Sequence, residues 1–215
     1  MKYLYYIILS TIITVSHAQS VQWASEVIGF SSQYSDAKWS AQQVLGKPNT
    51  MPQGGKGLCS WVPDIKEKEV WIKVRFEKSM QIRQVVVAEN YHPGSIYGII
   101  AWDSTGNISK IVYDEKALRL DEKSRMLNAI FPLTDFKVAA IELLIDGKTW
   151  HEQIYIDAIG ISASKLLIKA AINLPDGLKE EFILHAFPGA KKISYKPEKL
   201  GKNINTAYLE NHPVT

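Results

Sequence analysis

The sequence predicts an all-β fold, a β-sandwich of the jelly-roll kind, and three observations support this prediction. At least seven short segments rich in β-branched and aromatic residues follow one another, separated by turn-forming stretches. Segment 69–76 alternates between apolar and polar residues, as a strand with one buried face does. Segment 82–88 is apolar on both faces and should therefore lie centrally in its sheet.

The remaining strands are predicted in chain order from the same signals. Asp103 to Asn107 is rich in turn residues and should join two strands as a hairpin, and Asp146-Gly147 marks a further turn. The predicted strands are 96–102, 108–113, 126–131, 138–145 and 154–161. At least seven short strands separated by turn signals favour a sandwich over a helical fold.

A single helical turn is predicted before the strands of the middle region. Segment 40–45 begins with Ser40, whose hydroxyl can cap the first turn, and it is followed by Gly46 and Pro48, which end it. Residues 48–57 are rich in Pro, Gly and Asn and are predicted to form a loop.

The first 18 residues have the pattern of a cleavable signal peptide. Lys2 precedes an apolar run, and the small residue Ala18 stands before Gln19. The alternative is an uncleaved anchor, for which this run is short. The sequence therefore predicts three parts, a signal peptide (1–18), a β-sandwich (19–163) and a C-terminal β extension or linker (164–215). It also predicts export to the periplasm, the outer-membrane surface or the extracellular space, without an integral membrane domain after cleavage.

Charge and cysteine content narrow the classes of function. Without Lys2 the remaining chain carries 24 basic and 22 acidic residues, a balance that argues against nucleic-acid binding. Cys59 is the single cysteine, so an internal disulfide is excluded, and we expect its thiol to be buried as a small apolar group.

The order of several motifs in residues 23–161 resembles that of the galactose-binding-like superfamily, which includes discoidin and coagulation-factor C-type domains. The motifs are Ser31-Ser32, the small-residue segment from Ser40 to Pro48, the strand at 71–74 and the closing strand at 156–160. The resemblance implies a sandwich that binds ligands more often than it transforms them. It also implies that a structural calcium is the one cofactor to consider, with Asp36, Asp103 and Asp157 as possible ligands.

The C-terminal extension carries a second resemblance. Segments 165–173 and 180–187 look strand-like but are interrupted by Pro and Gly. Residues 200–214 resemble the lead-in to a WD-type β-propeller blade of OmpA-family envelope proteins. This resemblance implies a scaffolding or anchoring role in a bacterial cell envelope.

No nucleophile, zinc-protease or phosphate-loop motif occurs in the sequence, so an enzyme is not expected. Glycoside cleavage would need two carboxylates at a suitable separation, which sequence does not reveal. The carboxylates that could supply such a pair are Glu89, Asp103, Glu142 and Asp157. For Asp157 a backbone hydrogen bond is the favoured role.

Candidate ligand contacts lie in loops that join the predicted strands. A sugar site needs an aromatic surface with polar groups beside it, and three loops offer this combination. The candidates are Tyr34, Glu89, Asn90, Tyr91, His92, Trp150 and His151.

We therefore expect a binding or docking module whose partner is an envelope protein or a cell-surface glycan. Protein docking is favoured slightly, because an extended segment can add to the sheet edge of another chain. A carbohydrate-binding module is the alternative, and a hydrolase with a loop-built site is the third hypothesis.

Overall fold

A computed structural model describes residues 21–64, 69–148 and 152–169 and shows two antiparallel sheets packed face to face. Sheet A has the strand order β1-β9-β4-β7, and sheet B has the order β2-β3-β8-β5-β6. The nine strands are β1 (Gln22–Trp23), β2 (Glu26–Phe30), β3 (Glu69–Met80), β4 (Gln84–Tyr91), β5 (Ile96–Trp102), β6 (Ser109–Asp114), β7 (Arg125–Ile130), β8 (Val138–Asp146) and β9 (Tyr155–Ser162). The predicted all-β sandwich is confirmed.

The sandwich core forms because inward-facing positions of both sheets are apolar. In β3 the buried positions are Val70, Ile72, Val74 and Phe76, which matches the alternation in the sequence. Strand β4 lies between β9 and β7, as its two apolar faces predicted. Strands β5 and β6 pair as the expected hairpin.

The predicted helical turn is a 3-10 turn at Ala41–Val44, and its predicted cap is wrong. Ser40 makes no side-chain capping hydrogen bond. The Gln33 side-chain oxygen instead accepts the Ala41 backbone N–H at 2.9 Å. A glutamine from the preceding loop therefore satisfies one of the free donors of the first turn.

The two sheets differ on their outer faces. The outer face of sheet A carries a small apolar cluster of Met51, Ala88 and Ala158, with Trp23 and Met126 packed against it. The outer face of sheet B carries ion pairs instead, Lys73 with Glu142 and Arg75 with Glu26. The loop before Trp61 supplies Met51 and so helps to cover sheet A.

Cys59 is exposed, so its predicted burial is wrong. The neighbouring Ser60 and Trp61 take the interior positions, and the Trp61 indole N–H donates to the Ser32 carbonyl at 3.0 Å. Leu58 is also exposed. The loop therefore buries the tryptophan and leaves the thiol at the surface.

The predictions for the two ends of the chain mostly fall outside the described residues. These are the signal peptide at 1–18, the strand at 180–187 and the propeller-like segment at 200–214. Residues 165–169 are described and are not a strand. Within the described ranges, no helix has the length and apolarity to cross a membrane.

Candidate functional site

Aromatic side chains meet where β4 ends and β9 begins. Tyr91 and Tyr155 are register partners of these two strands, and their rings lie edge to face at 5.7 Å. The His92 ring lies against the Tyr91 ring, with 3.8 Å between the ring centroids. Tyr155 is buried, whereas Tyr91 and His92 are partly exposed. The buried Tyr155 thus supports the Tyr91 ring, which reaches the surface and contacts the His92 ring.

The loop after β4 holds His92 in an unusual backbone conformation. His92 has φ 54° and Gly94 has φ 100°, so two left-handed positions turn the chain sharply. Only a glycine fits at position 94, because an added Cβ would lie 1.9 Å from the Leu118 carbonyl oxygen. The His92 ring is fixed by a 3.0 Å hydrogen bond between its Nδ1 and the Gln153 carbonyl oxygen.

Two charged side chains lie beside these rings. The Lys56 ammonium is 5.1 Å from the centroid of the Tyr91 ring, within the range of a cation–π contact. The same ammonium is 3.3 Å from the Glu152 carboxylate. Both charged side chains are more than half exposed, so they offer a donor and an acceptor to solvent.

Tyr34 and Trp39 form a second aromatic pair, in the loop that follows β2. Their rings lie edge to face at 5.6 Å, and 58% of Tyr34 is exposed. The Trp39 indole N–H donates to the Gly57 carbonyl at 3.0 Å, which joins this loop to the loop that carries Lys56. The Tyr34 phenol also acts electrostatically on Tyr155. We call Tyr34, Trp39, Tyr91, His92 and Tyr155 together the aromatic end.

Buried polar groups hold the loop that carries Lys56. The Asp157 carboxylate accepts the backbone N–H groups of Asn49 at 2.9 Å and Thr50 at 3.0 Å. The Asn90 side-chain amide donates to the hydroxyls of Thr50 and of Ser60. Asp157 therefore makes backbone hydrogen bonds, as predicted, and both buried side chains fasten the loop to sheet A.

Glu89 and Asn90, two of the predicted ligand contacts, lie beneath the surface. Glu89 is 3% exposed, pairs with Arg125 and accepts the Gly94 N–H at 2.8 Å. Asn90 is fully buried. Because these side chains have no access to a ligand, their role is to shape the loops that carry the exposed rings.

Burial shifts the pKa values of several groups at this end. It raises the pKa of the Tyr155 phenol, which Lys56 partly offsets. It lowers the pKa of His92, although the Gln153 carbonyl and Glu152 act in the opposite direction. The hydrogen bond from Lys56 to Glu152 raises the pKa of the Lys56 ammonium. These shifts favour the neutral imidazole of His92, the neutral phenol of Tyr155 and the charged ammonium of Lys56.

The structure brings Tyr34, Tyr91 and His92 to one end, while Trp150 and His151 lie outside the described residues. Sequence reasoning missed Tyr155 and Lys56. Tyr155 begins a predicted strand, so pairing that strand with β4 would have placed it beside Tyr91. Lys56 lies in an irregular loop, and no sequence pattern indicates where that loop folds.

The three acidic residues considered for calcium serve different loops. Asp36 accepts the Gln33 side-chain amide, and Asp103 accepts the Thr105 hydroxyl and the Ile108 N–H. Asp157 holds Asn49 and Thr50 as described above. Among residues 21–64, 69–148 and 152–169, no group of three or more His, Cys, Asp or Glu side chains could hold a metal ion.

The chain matches one known protein family over most of its length. The family described as PAPPA: Pappalysin-1, SD scarf domain, C-terminal, matches residues 14–166. The chain belongs to this family. The SD scarf match includes all nine strands and every described residue of the aromatic end.

One curated relative is the F-box/LRR-repeat protein 4 of Bos taurus, which is 21% identical over 230 residues. The alignment covers 92% of this chain and 37% of that protein. The SD scarf chain thus spans little more than a third of the length of this relative.

Solved structures resemble the SD scarf domain in fold. Reduced XRCC1, from a complex with the DNA polymerase β catalytic domain, has a TM-score of 0.51 at 14% identity and covers 67% of this chain and 99% of its own. Chitosan-binding module 1 of a chitosanase/glucanase from Paenibacillus sp. IK-5 has a TM-score of 0.47 at 12% identity, covering 66% and 93%. The likeness to reduced XRCC1 concerns the fold alone, and at that level the expected all-β sandwich is confirmed.

Proposed function

We propose that this SD scarf domain is a non-catalytic module that binds carbohydrate at its aromatic end. The observation that supports the proposal is the exposed ring of Tyr34 together with Tyr91 and His92, beside the Lys56–Glu152 pair. Aromatic rings pack against the apolar face of a sugar, and an ammonium–carboxylate pair can hydrogen-bond to its hydroxyls. Both kinds of group reach solvent at the same end of the sandwich.

The positions of the nearby carboxylates support binding without catalysis. Glu89 is engaged by Arg125 and Gly94, and Asp157 is buried under the loop that it holds. Hydrolysis of a glycoside needs two carboxyl groups that flank the bond to be cleaved. Of the acidic residues described at this end, Glu152 reaches the surface, and it already pairs with Lys56.

A glycan array of neutral and acidic oligosaccharides, probed with the full chain, tests the proposal. We expect binding to at least one glycan class, and for its best member a loss of affinity of about tenfold in Tyr34→Ala and in Tyr91→Ala. Trp102→Ala is the matched control, because this tryptophan stacks with Lys73 on the outer face of sheet B. Equal losses in all three variants, or turnover of the bound glycan, would contradict the proposal.

We also propose that the module works outside the cytoplasm, where surface glycans are found. The support is the signal-like pattern of residues 1–18. Mass spectrometry of the protein made in its native cell should give an N-terminus at Gln19. An intact N-terminus on a protein recovered from the cytoplasm would contradict export.

Docking to a bacterial cell-envelope protein is the second candidate function, and one observation favours it. Strand β6 is an edge strand of sheet B, and Ile111 on it is 62% exposed. A free apolar edge can accept a strand from another chain. Ile111→Lys should then abolish capture of a partner from an envelope extract, whereas Tyr34→Ala should leave the capture unchanged.

A further inference from the structure

A groove of about 380 Å³ lies on the outer face of sheet A. We call it the outer groove. One side comes from Met51 and Pro52, the middle from Met126 and Asn128 on β7, and the other side from Leu167 and Ile168. The chain that follows β9 therefore forms part of the groove itself.

The side chain of Asn128 fixes that chain to the sheet. Its Nδ2 donates to the Ile168 carbonyl at 3.1 Å, and its Oδ1 accepts the Ile168 N–H at 2.8 Å. One side-chain amide thus satisfies both backbone groups of Ile168, as a neighbouring strand would. The Gln84 amide donates to the same Oδ1 at 2.8 Å and orients the Asn128 side chain.

Burial along this segment shows where it becomes part of the fold. Leu166 and Leu167 are 65% and 62% exposed, whereas Ile168 is 8% exposed. Lys169 also lines the outer groove, so the described part of this segment ends at the groove. The next residues are Ala170, Ala171, Ile172, Asn173 and Leu174, four of them apolar.

We propose that residues 170–174 of this chain occupy the outer groove and cover the apolar outer face of sheet A. Their attachment at Lys169 makes the contact intramolecular, so a high effective concentration favours them over a separate molecule. Five extended residues span at most about 17 Å, so these residues stay within that distance of Lys169. The extension is then a third layer of the module.

A disulfide trapping experiment tests the proposal on the full chain with Cys59→Ser. Pro52→Cys is combined with Ile172→Cys, and the matched control combines Pro52→Cys with Asn203→Cys. After mild oxidation, peptide mass spectrometry should find the 52–172 disulfide within a monomer, at a yield at least about tenfold above the control pair. Equal yields, or a disulfide only between two copies, would overturn the proposal.

A second measurement does not depend on the introduced cysteines. Hydroxyl-radical oxidation of Met126 should be at least about fivefold faster in Ile172→Asp/Leu174→Asp than in the parent chain, because the groove would lose its cover. Leu166→Asp is the control, since that side chain is already exposed. An unchanged oxidation rate of Met126 in the double variant would also overturn the proposal. The same result is expected if another protein, and not residues 170–174, fills the groove.

Discussion

The outer faces of the two sheets differ in polarity. On sheet B the outer face is polar, and the Lys73 ammonium lies 3.6 Å from the Glu142 carboxylate and 3.5 Å from the Trp102 ring centroid. On sheet A the outer face is apolar, and Val86 and Ala88 are fully buried there. One face is compatible with water, whereas the other needs cover from the rest of the chain.

The difference has its origin in two stretches of sequence. Strand β3 alternates, so its outward positions are Trp71, Lys73 and Arg75. Strand β4 is apolar at successive positions, so Val85 and Val87 enter the core while Val86 faces the other way. The cover of sheet A comes from Trp23, from Met51 and from the segment held by Asn128. A strand that is apolar on both faces thus indicates a layer beyond the two sheets.

The largest expected effect is a loss of stability on the outer face of sheet A that has no counterpart on sheet B. Val86→Asp places a charge on the covered face and should lower the free energy of unfolding by about 4 kcal/mol. Ile111→Asp on the exposed edge of sheet B should change it by less than about 0.5 kcal/mol. Urea denaturation followed by tryptophan fluorescence measures both values. Similar losses in the two variants would mean that the faces do not differ in burial.

An intermediate effect is expected where Asp157 fastens the loop that covers sheet A. Asp157→Ala leaves two buried N–H groups without an acceptor and should cost about 2 kcal/mol. Asp157→Asn keeps an acceptor and should cost less than about 1 kcal/mol. Equal costs in the two variants would show that the hydrogen bonds do not fasten the loop.

The same residue gives a pH dependence with a defined sign. Burial raises the pKa of Asp157 above its ordinary value of 3.8, although the Thr50 and Asn49 N–H groups oppose the rise. The fold therefore favours the protonated carboxyl. The contribution of Asp157 to stability is fully present below pH 3.8 and is lost as the pH rises through the folded-state pKa. The difference in stability between the parent chain and Asp157→Asn should show this trend, and a pH-independent difference would contradict it.

The smallest effect is expected on the outer face of sheet B. Lys73→Ala removes a partly exposed ion pair and a cation–π contact and should cost about 1 kcal/mol. Arg75→Ala, whose ion pair is half exposed, should cost less than about 0.5 kcal/mol. Raising the salt concentration should reduce both losses of stability. If either loss exceeded that of Asp157→Ala, the outer face of sheet B would contribute more to stability than the loop that covers sheet A.

The fold was largely predictable, because sequence patterns within a few residues determine where its strands and turns form. The alternation in β3, the two-sided apolar run in β4 and the turn between β5 and β6 each lie within a few residues. The burial of Trp61 in place of Cys59 was not predictable, because both residues lie in an irregular loop. Which of two neighbouring side chains points inward there depends on how the loop crosses the sheet.

The candidate site was predictable only in part. Tyr91 and His92 follow a recognisable strand, and their exposure at its end could be expected. Glu89 and Asn90 are in the same stretch but face the interior, where Arg125, Thr50 and Ser60 meet their polar groups. Those partners are 30 or more residues away in sequence, so the local sequence pattern does not predict these contacts.

The amino-acid sequence by itself determined the strands, their buried faces and hence the two-sheet architecture, because hydrophobic periodicity and turn chemistry act over short distances. The tertiary structure decided that Tyr34, Lys56, Tyr91 and Tyr155 meet at one end, and that Asn128 receives the chain after β9. These contacts join residues from separate strands and loops, and they arise only when the sheets have paired and the connecting loops have folded over their edges.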